Sequence, residues 1–529
     1  MKPVKLLSGF MTVGFWTLAS RILGFARDIM IASFLGTGPV AEAFLVAFSL
    51  PNMFRRFFAE GAFNTAFVPL FSKKLQKNED PVGFARDALT GLATVLIVFT
   101  LVAQLVMPWL VLAMASGFRN DARFDLTVDF GRITFAYILF ISLAALLSGV
   151  LNASGRFAAA AAAPVLLNIV LVGALLLGES GLVDAFLPAS RPDLPGFSQG
   201  TLLVWATLLA GVAQMALVWI AASRAGYRLT PRRPRLTPDL KRLAVIAAPA
   251  MLAGGVVQIN LLVGRQVASF FDGAIAWLSY ADRLYQLPLG VVGIAVGIVL
   301  LPDLSRRLAA GDAAGSQNAF SRAGEISLAL TIPSAIALVA IPLPLVSVLF
   351  ERGAFSFADS QATALAVAIY GLGLPAFVLQ KVLQPLYFAR EDTRTPFRFA
   401  LNAMVVNALV AIAGAALLGF IGAAIGTTVA GWAMVWQLAR GTGEMGQSAR
   451  FDARFKQRIW RILVASVLMG ALLWGAALAL EPWLFSASIR YPALAFLVAL
   501  GIFSYFTIGA GIGAFRLSDF TASLRRSKG

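Results

Sequence analysis

Residues 6–35 read LLSGFMTVGFWTLASRILGFARDIMIASFL, an apolar run that contains three charged side chains, Arg21, Arg27 and Asp28. At 1.5 Å per residue, a helix of this length extends about 45 Å, which is enough to cross a lipid bilayer. A charge at the centre of a membrane helix costs roughly 2.5 to 3.5 kcal/mol, so it is kept where it faces water, a counter-charge or a substrate. The stretch predicts a membrane-spanning helix whose charged residues have a function.

The composition predicts many such helices. Of 529 residues, 59% are hydrophobic and 13% are charged, and the mean hydropathy is +0.81; soluble proteins carry about 25% charged residues. The sequence has no Cys, no His and no GxxxxGK[ST] loop, which excludes thiol and imidazole catalysis, His-containing metal sites and a P-loop for nucleotides. We expect a protein that is not an enzyme, has no metal site or cofactor, and depends on a gradient; a coupling ion such as Na⁺ or H⁺ is not identified.

Charged, Gly and Pro residues divide the chain into fourteen apolar runs, which predict an all-α polytopic membrane protein with about fourteen transmembrane helices. The runs fall near residues 6–36, 41–72, 83–114, 126–151, 158–178, 200–223, 240–271, 275–305, 320–350, 360–389, 396–418, 420–440, 458–480 and 490–515.

The basic residues indicate the topology. They cluster in short segments between apolar runs, such as Lys73 to Lys77 and Arg224 to Arg242, whereas the segment from Glu179 to Asp193 is mainly acidic. The positive-inside rule therefore places both termini in the cytoplasm. Because this topology accounts for the net charge of +17, we expect no nucleic-acid partner.

The sequence contains an internal repeat, in which short segments of the first half recur six spans later. Residues 67–75, FVPLFSKKL, resemble residues 300–308, LLPDLSRRL, and Leu50-Pro51 recurs as Leu287-Pro288. An even number of spans gives both halves the same orientation. The repeat predicts two pseudo-symmetric six-helix lobes around a central cationic cavity, with two extra C-terminal helices; the predicted boundaries are 1–230, 231–445 and 446–529.

Spacing assigns the charges of the first run to helix faces. Ser20 and Arg27 are seven residues apart and share one face, while Arg21 and Asp28 form the neighbouring stripe. Two alternatives are that Arg21 pairs within its helix or extends to the membrane surface, and that Asp28 simply neutralises Arg27. We favour a cavity-facing position for both arginines.

The second run has a similar cluster. Asn52 and Arg55 share a face and are candidates for substrate binding, while the i, i+4 spacing of Arg56 and Glu60 fits a salt bridge or a gate contact. Pro51 removes a backbone hydrogen bond and predicts a kink.

Arg283 is the candidate cation of the second lobe, and Asp282 is either its counter-ion or a coupling site. Guanidinium groups donate paired hydrogen bonds to phosphate oxygens and stay charged at physiological pH. Several of them in one cavity predict a phosphorylated anion as the substrate, and a pyrophosphate would fit.

The chain resembles the MurJ (MviN) family of bacterial lipid II flippases, which belongs to a wider group that includes multidrug and polysaccharide exporters. The resemblance extends over essentially the whole chain and is most specific in 20–28 (SRILGFARD), 50–63 (LPNMFRRFFAEGAF) and 280–284 (YADRL). It implies fourteen helices in two lobes and export of lipid II, an undecaprenyl-pyrophosphate-linked disaccharide-pentapeptide, from the inner to the outer leaflet of the cytoplasmic membrane by alternating access.

The resemblance also implies roles for individual residues. The family's head-group-binding arginines match Arg21, Arg27, Arg55 and Arg283, and residues near its gate and portal match Ser20, Asp28 and Glu60. Two positions depart from the family pattern: Glu42, a candidate gate or ion-pair residue, stands where Asp is usual, and Ser49 stands where some relatives have Lys. Asn402, Asn407 and Thr427 are only polar candidates for a sodium site.

The expected partners are lipid II, the bilayer and cell-wall synthesis proteins, and we expect a monomer. The last two helices could hold the polyprenyl tail. Three other functions stay open: a multidrug antiporter, a flippase for another polyprenyl-pyrophosphate oligosaccharide, and a scaffold for cell-wall enzymes. An antiporter for cationic drugs would need acidic residues in its cavity, and a scaffold would need no intramembrane arginines.

Overall fold

The computed structural model describes residues 6–56, 62–182, 193–486 and 488–515, and these are helical apart from loops and one isolated bridge between Arg352 and Phe355. Helices satisfy every backbone polar group internally, as hydrocarbon surroundings require. The all-α prediction is confirmed. The helices are α1 (Leu6–Leu35), α2 (Pro39–Arg55), α3 (Ala62–Lys77), α4 (Pro81–Leu105), α5 (Met107–Ala115), α6 (Ala122–Phe135), α7 (Tyr137–Ala153), α8 (Ala158–Glu179), α9 (Phe197–Arg224), α10 (Pro238–Ala268), α11 (Ala274–Ala309), α12 (Ala313–Ala340), α13 (Pro342–Phe350), α14 (Phe357–Phe388), α15 (Arg394–Leu418), α16 (Ile421–Gly441), α17 (Ala453–Ala479), α18 (Glu481–Leu484) and α19 (Arg490–Gly511).

Ten helical stretches of the described residues are long and apolar enough to cross a membrane. The other four predicted spans coincide with α1, with α2 followed by α3, with α10 and with α11. The chain is therefore a multi-pass membrane protein, and the count of fourteen spans stays a prediction.

The first of two compact units comprises Met1–Ala276 together with Arg352–Phe355. Its core lies where α1, α2, α6, α8 and α9 meet, and it includes Phe44, Phe130 and Leu171. The predicted boundary between the lobes, at residue 230, differs from the end of this unit because α10 packs against α3, α4 and α5. The lobe boundary was inferred from the repeat and stays a prediction.

The second unit comprises Trp277–Glu351 and Ser356–Gly529. One of its cores joins α12, α17 and α19 through residues such as Met469, Leu497 and Tyr505. In the same unit α15 and α16 approach each other closely at Gly414 and Gly422. A Cβ on Gly414 would lie only 2.8 Å from the Cα of Gly422. Small residues allow such close approach of membrane helices.

Prolines within the helices release carbonyl groups that neighbouring helices accommodate. Pro333 in α12 cannot donate to the carbonyl of Ala329, and the Tyr505 hydroxyl of α19 donates to this oxygen at 2.6 Å. In the first unit Pro51 releases the carbonyl of Ala47, and the hydroxyl of Thr134 lies 3.1 Å from this oxygen. The acceptor that Pro333 creates thus ties two helices together, whereas the single hydroxyl hydrogen of Thr134 is shared between the carbonyl of Ala47 and that of Phe130 in its own helix, at 2.9 Å.

Between α9 and α10 the chain runs as an extended linker, residues 225–237, against the beginning of α4. Arg232 Nε donates to Asp87 Oδ1 at 2.7 Å, and Arg86 Nη2 donates to the carbonyl of Arg228 at 2.7 Å. The linker is therefore held along its length and not only at its two ends.

We predict that Tyr505→Phe destabilises the protein by about 1–3 kcal/mol, because it leaves the buried carbonyl of Ala329 without its donor. In a Pro333→Ala background the new N–H can donate to that carbonyl, so the same substitution should cost much less. Thermal unfolding of the four purified proteins gives this double-mutant cycle. Equal losses in both backgrounds would contradict the assignment.

Candidate functional site

Arg27 is a buried cation in the middle of the first unit, with only 7% of its surface exposed. Its Nε and Nη2 donate to Asp28 Oδ1 at 3.0 and 2.7 Å, and its Nη1 donates to Asn168 Oδ1 of α8 at 3.0 Å. The ring centroid of Phe48 lies 5.7 Å from the guanidinium carbon. Burial of this charge is thus compensated by an ion pair, an amide and an aromatic ring.

Asn168 of α8 contacts the face of α1 that the seven-residue spacing of Ser20 and Arg27 predicted. Its Nδ2 donates to the carbonyl of Ser20 at 2.9 Å, and a Cβ built on Gly24 would lie 3.5 Å from the same nitrogen. Ser20, Gly24 and Arg27 therefore do share one face, and α8 covers it. The neutralising role considered for Asp28 is also seen, since Asp28 is the ion-pair partner of Arg27.

The other candidates of the first unit are less buried. Arg21 and Arg56 are exposed, Arg55 is half-buried, and the amide of Asn52 is half-buried and donates to the carbonyl of Phe48 at 2.7 Å. Glu60, the predicted partner of Arg56, lies outside the described residues. The substrate-binding roles of these residues stay predictions.

In the second unit Arg283 and Asp282 are half-buried on α11, and Asp282 accepts a hydrogen bond from Gln286 one turn later. Tyr285, in the next turn, packs against Tyr370 and Phe377 of α14 with ring centroids 5.1 and 5.5 Å away. A convergence of Arg283 with the arginines of the first unit stays a prediction.

Among the polar candidates for a sodium site, Asn402 Nδ2 donates to Gln437 Oε1 at 2.8 Å, and the Thr427 hydroxyl donates to the carbonyl of Ala423 at 3.0 Å within its own helix. Asn407 is buried. In the described part of the chain, no group of three or more acidic residues is arranged to hold a metal ion.

Glu42, predicted as a gate or ion-pair residue, is only 1% exposed and is paired with Arg123 of α6. Arg123 Nη1 donates to Glu42 Oε2 at 2.8 Å, and the backbone N–H of Ile275, at the start of α11, donates to Glu42 Oε1 at 3.0 Å. The two carboxylate oxygens of Glu42 thus each have a partner. One buried carboxylate therefore connects the beginnings of three helices, α2, α6 and α11.

Arg123 has three further neighbours. Its Nη2 lies 2.5 Å from Asp121 Oδ2 and 2.9 Å from Asp272 Oδ1, and its guanidinium carbon lies 4.4 Å from the ring centroid of Phe118. The side chain of Asp272 is 96% exposed, so this pair contributes little beside the buried contact with Glu42. Asp121 Oδ2 also accepts a hydrogen bond from Arg123 Nε at 2.9 Å, so Asp121 and Glu42 are the two carboxylates that hold the guanidinium, and of these two Glu42 is the buried one.

Arg123 and Asn168 are absent from the residues that the sequence singled out. The fourth apolar run was predicted to begin at residue 126, whereas α6 begins at Ala122, so Arg123 fell in a predicted loop. A charged residue followed by a long apolar run is the signal that could have identified it. Asn168 stands alone in the apolar helix α8, and a lone buried amide in such a helix is a comparable signal.

Long apolar helices with arginine–carboxylate pairs buried among them are typical of multi-pass membrane proteins that move a polar substrate, the class of membrane transporters. The chain belongs to the lipid II flippase MurJ family, whose model matches residues 31–496.

Two relatives illustrate this membership. The chain is 44% identical over 530 residues to the probable lipid II flippase MurJ of Rhizobium meliloti, covering 99% of this chain and 97% of that protein. It is 36% identical over 414 residues to the lipid II flippase MurJ of Burkholderia cenocepacia, covering 77% and 78% of the two chains.

Solved structures show the same fold. A lipid II flippase MurJ in an inward closed conformation matches with a TM-score of 0.76 at 24% identity, covering 94% of this chain and 98% of that one. An inward-facing MATE-family multidrug transporter of the MOP superfamily matches with a TM-score of 0.64 at 15% identity, covering 81% and 95%. The MurJ and MATE proteins share this helical architecture with the present chain.

We predict that Arg123→Ala destabilises the protein by about 3–5 kcal/mol, because it leaves the buried carboxylate of Glu42 without its cation. Adding Glu42→Gln should recover part of this loss, since no buried charge then remains unpaired. The apparent melting temperatures of the purified variants measure both effects.

A matched control is Arg132→Ala, which removes an exposed arginine from the same helix, where it lies 3.7 Å from Asp129. It should change stability by less than about 1 kcal/mol. A double variant no more stable than Arg123→Ala would contradict the proposed dependence of Glu42 on Arg123.

Proposed function

We propose that this chain moves lipid II from the inner to the outer leaflet of the cytoplasmic membrane by alternating access. The observation that carries the proposal is the 44% identity to the Rhizobium meliloti relative over 99% of this chain. The transported head group is anionic, and the polyprenyl tail need not leave the hydrocarbon while the head group crosses. Transport of this kind requires no covalent chemistry.

The arginines supply the chemistry that such a head group needs. A guanidinium donates two parallel hydrogen bonds to phosphate oxygens and remains charged at any physiological pH. We assign pyrophosphate and sugar contacts to Arg21, Arg27, Arg55 and Arg283, with Ser20 and Asn52 as further polar contacts. Asp28, Glu42, Arg56, Glu60 and Asp282 are assigned to gating and ion pairing.

The state of the buried acids argues against a transporter for cationic drugs. In the described residues there are four buried carboxylates, Asp28, Glu42, Asp87 and Glu325, and each lies within salt-bridge distance of an arginine. A carboxylate already paired with a guanidinium attracts a cationic drug only weakly. Among the described residues the MATE-like fold therefore offers a cationic drug no buried carboxylate that lacks an arginine partner.

The last two spans, α17 and α19, suit the polyprenyl tail. They pack on each other through residues such as Leu473 and Gly501, and they expose large apolar side chains including Trp474 and Phe503. We assign the two spans of the segment 446–529 to a groove for the lipid tail, and the end of this segment to a cytoplasmic tail. We further propose that the protein works as a monomer in the inner membrane, alongside cell-wall synthesis proteins.

We predict that Arg27→Ala, Arg55→Ala and Arg283→Ala each reduce flipping at least ten- to a hundred-fold, the equivalent of losing one charge-assisted hydrogen bond of about 1.5–3 kcal/mol. Arg55→Lys should restore activity only in part, because an ammonium group lacks the paired donors. The assay is complementation of cells depleted of their own lipid II flippase, with membrane abundance measured for every variant.

Arg132→Ala serves as the control, since Arg132 is exposed and has no assigned contact with substrate. Full activity of all three alanine variants would contradict the anion-binding proposal. Complementation of cells that lack an O-antigen flippase, but not of cells depleted of the lipid II flippase, would favour the alternative oligosaccharide substrate.

The orientation gives a separate prediction. With both termini in the cytoplasm, Asn120 before α6 faces the periplasm and Thr230 in the linker faces the cytoplasm; both are exposed. Because the chain has no native Cys, Asn120→Cys and Thr230→Cys each introduce a single thiol. An impermeant thiol reagent added to intact cells should label the first variant and not the second. The reverse pattern would invert the topology.

A further inference from the structure

Positive charge is concentrated at one end of the first unit, formed by residues 73–91 and 224–242, which we name the basic end. The two segments contain eleven cations and four acids, so they contribute seven of the seventeen net positive charges of the chain. The cations are Lys73, Lys74, Lys77, Arg86, Arg224, Arg228, Arg232, Arg233, Arg235, Lys241 and Arg242.

Part of this charge fixes the linker in place. Arg232 Nη2 lies 2.6 Å from Asp87 Oδ1, and the Arg232 backbone N–H donates to the Thr90 hydroxyl at 3.3 Å. Beyond the linker, Lys74 Nζ lies 2.9 Å from Asp239 Oδ2 in the first turn of α10. Pro231 and Pro234 restrict the backbone further. The linker is thus a fixed surface and not a mobile tether.

The neighbouring cations point outward. Arg228, Arg233 and Arg235 are exposed, and within the described ranges none of them has a carboxylate at salt-bridge distance. Two contacts hold this part of the linker on α4: Arg232 donates to Asp87, and Arg86 donates to the carbonyl of Arg228. These contacts fix the distances between the three exposed arginines. The surface therefore presents uncompensated charge in a constant arrangement.

The position of this surface next to a predicted span favours a membrane partner. Val245 of α10 is 72% exposed and stands only three residues after Arg242, about 5 Å along the helix. The run 240–271 is a predicted span, and if α10 crosses the membrane an exposed valine at this point faces hydrocarbon, which places Lys241 and Arg242 at the level of the lipid head groups. Leu236, at the end of the linker, is also exposed and would contact the same interface.

We propose that the basic end, with Arg228, Arg233 and Arg235 of the fixed linker, binds the phosphate groups of anionic phospholipids in the membrane leaflet beside it. This interaction surface is distinct from the intramembrane arginines and goes beyond the proposed transport function. Basic clusters next to membrane helices attract anionic lipid head groups, and the attraction weakens with salt. Arg donors suit the phosphate oxygens.

The test uses the purified full-length protein in a neutral detergent and measures its affinity for fluorescent phosphatidylglycerol. The variant Arg233→Gln/Arg235→Gln should weaken binding by about 25-fold, since each cation near an anionic membrane surface contributes about five-fold in affinity. Phosphatidylcholine should bind weakly to both proteins. Raising the salt concentration should weaken phosphatidylglycerol binding to the unmodified protein more than to the variant.

The matched control is Arg119→Gln/Arg132→Gln, which removes two exposed arginines, one after α5 and one on α6, and it should leave the affinity within about two-fold of the unmodified protein. Equal losses in both double variants, or equal affinity for the two lipids, would overturn the proposal. So would competition by millimolar inorganic phosphate, which would indicate a site for free phosphate. Preferential binding of poly-glutamate over phosphatidylglycerol would assign the surface to an acidic protein partner instead.

Discussion

A charge that is buried among membrane-spanning helices must have an opposite charge and hydrogen bonds beside it, and the packing of this chain depends on that requirement. Asp28 compensates Arg27 within α1, and Glu42 compensates Arg123 between α2 and α6. In the second unit Glu325 of α12 pairs with Arg454 and Arg458 at the start of α17. The pairs that join different helices, Glu42 with Arg123 and Glu325 with Arg454 and Arg458, select helix partners that an apolar surface leaves unspecified, since a different packing would leave a charge uncompensated.

Backbone carbonyl groups inside the membrane also need a partner, although leaving one without a hydrogen bond costs less than leaving a charge unpaired. A proline in a membrane helix leaves one carbonyl without its donor, and no lipid can supply one. Here the Tyr505 hydroxyl donates to the carbonyl released by Pro333, and the Thr134 hydroxyl lies 3.1 Å from the carbonyl released by Pro51. Proline and hydroxyl residues on different helices therefore act together, and their positions specify which helices are neighbours. The two kinds of contact, ionic and backbone, give the helices a unique arrangement that hydrophobicity alone would not.

How much the sequence could predict depends on the kind of signal. The helices α14, α15 and α16 begin and end within three residues of their predicted runs, because Gly, Pro and charged residues mark their ends. By contrast, the run for α17 was predicted to begin at residue 458, whereas the helix begins at Ala453. The prediction missed the first turns because they carry Arg454, Lys456 and Arg458, which pair with α12 or face water. A prediction that defines a span by its hydrophobicity assigns a charged first turn of a helix to the preceding loop.

For the candidate site, spacing within one helix was informative and partners across helices were not. The shared face of Ser20 and Arg27 follows from their separation of seven residues. Asn168, which contacts both, is 141 residues from Arg27 along the chain, and nothing in its local sequence specifies that contact. Arg123 and Glu42 are likewise 81 residues apart. Such pairs follow from the tertiary fold, so they become visible only once the helices are placed.

The contacts of Arg27 also limit what it can do for an anionic substrate. A guanidinium has five N–H donors, and three of them are used by Asp28 and Asn168. Two donors remain for a phosphate, which is the number needed for a bidentate contact. The three existing bonds also fix the orientation of the guanidinium, so binding would not have to pay for ordering a long side chain. Under the proposed function, Asp28 and Asn168 therefore prepare Arg27 for the head group, while the charge of Asp28 keeps Arg27 stable in the membrane when no substrate is bound.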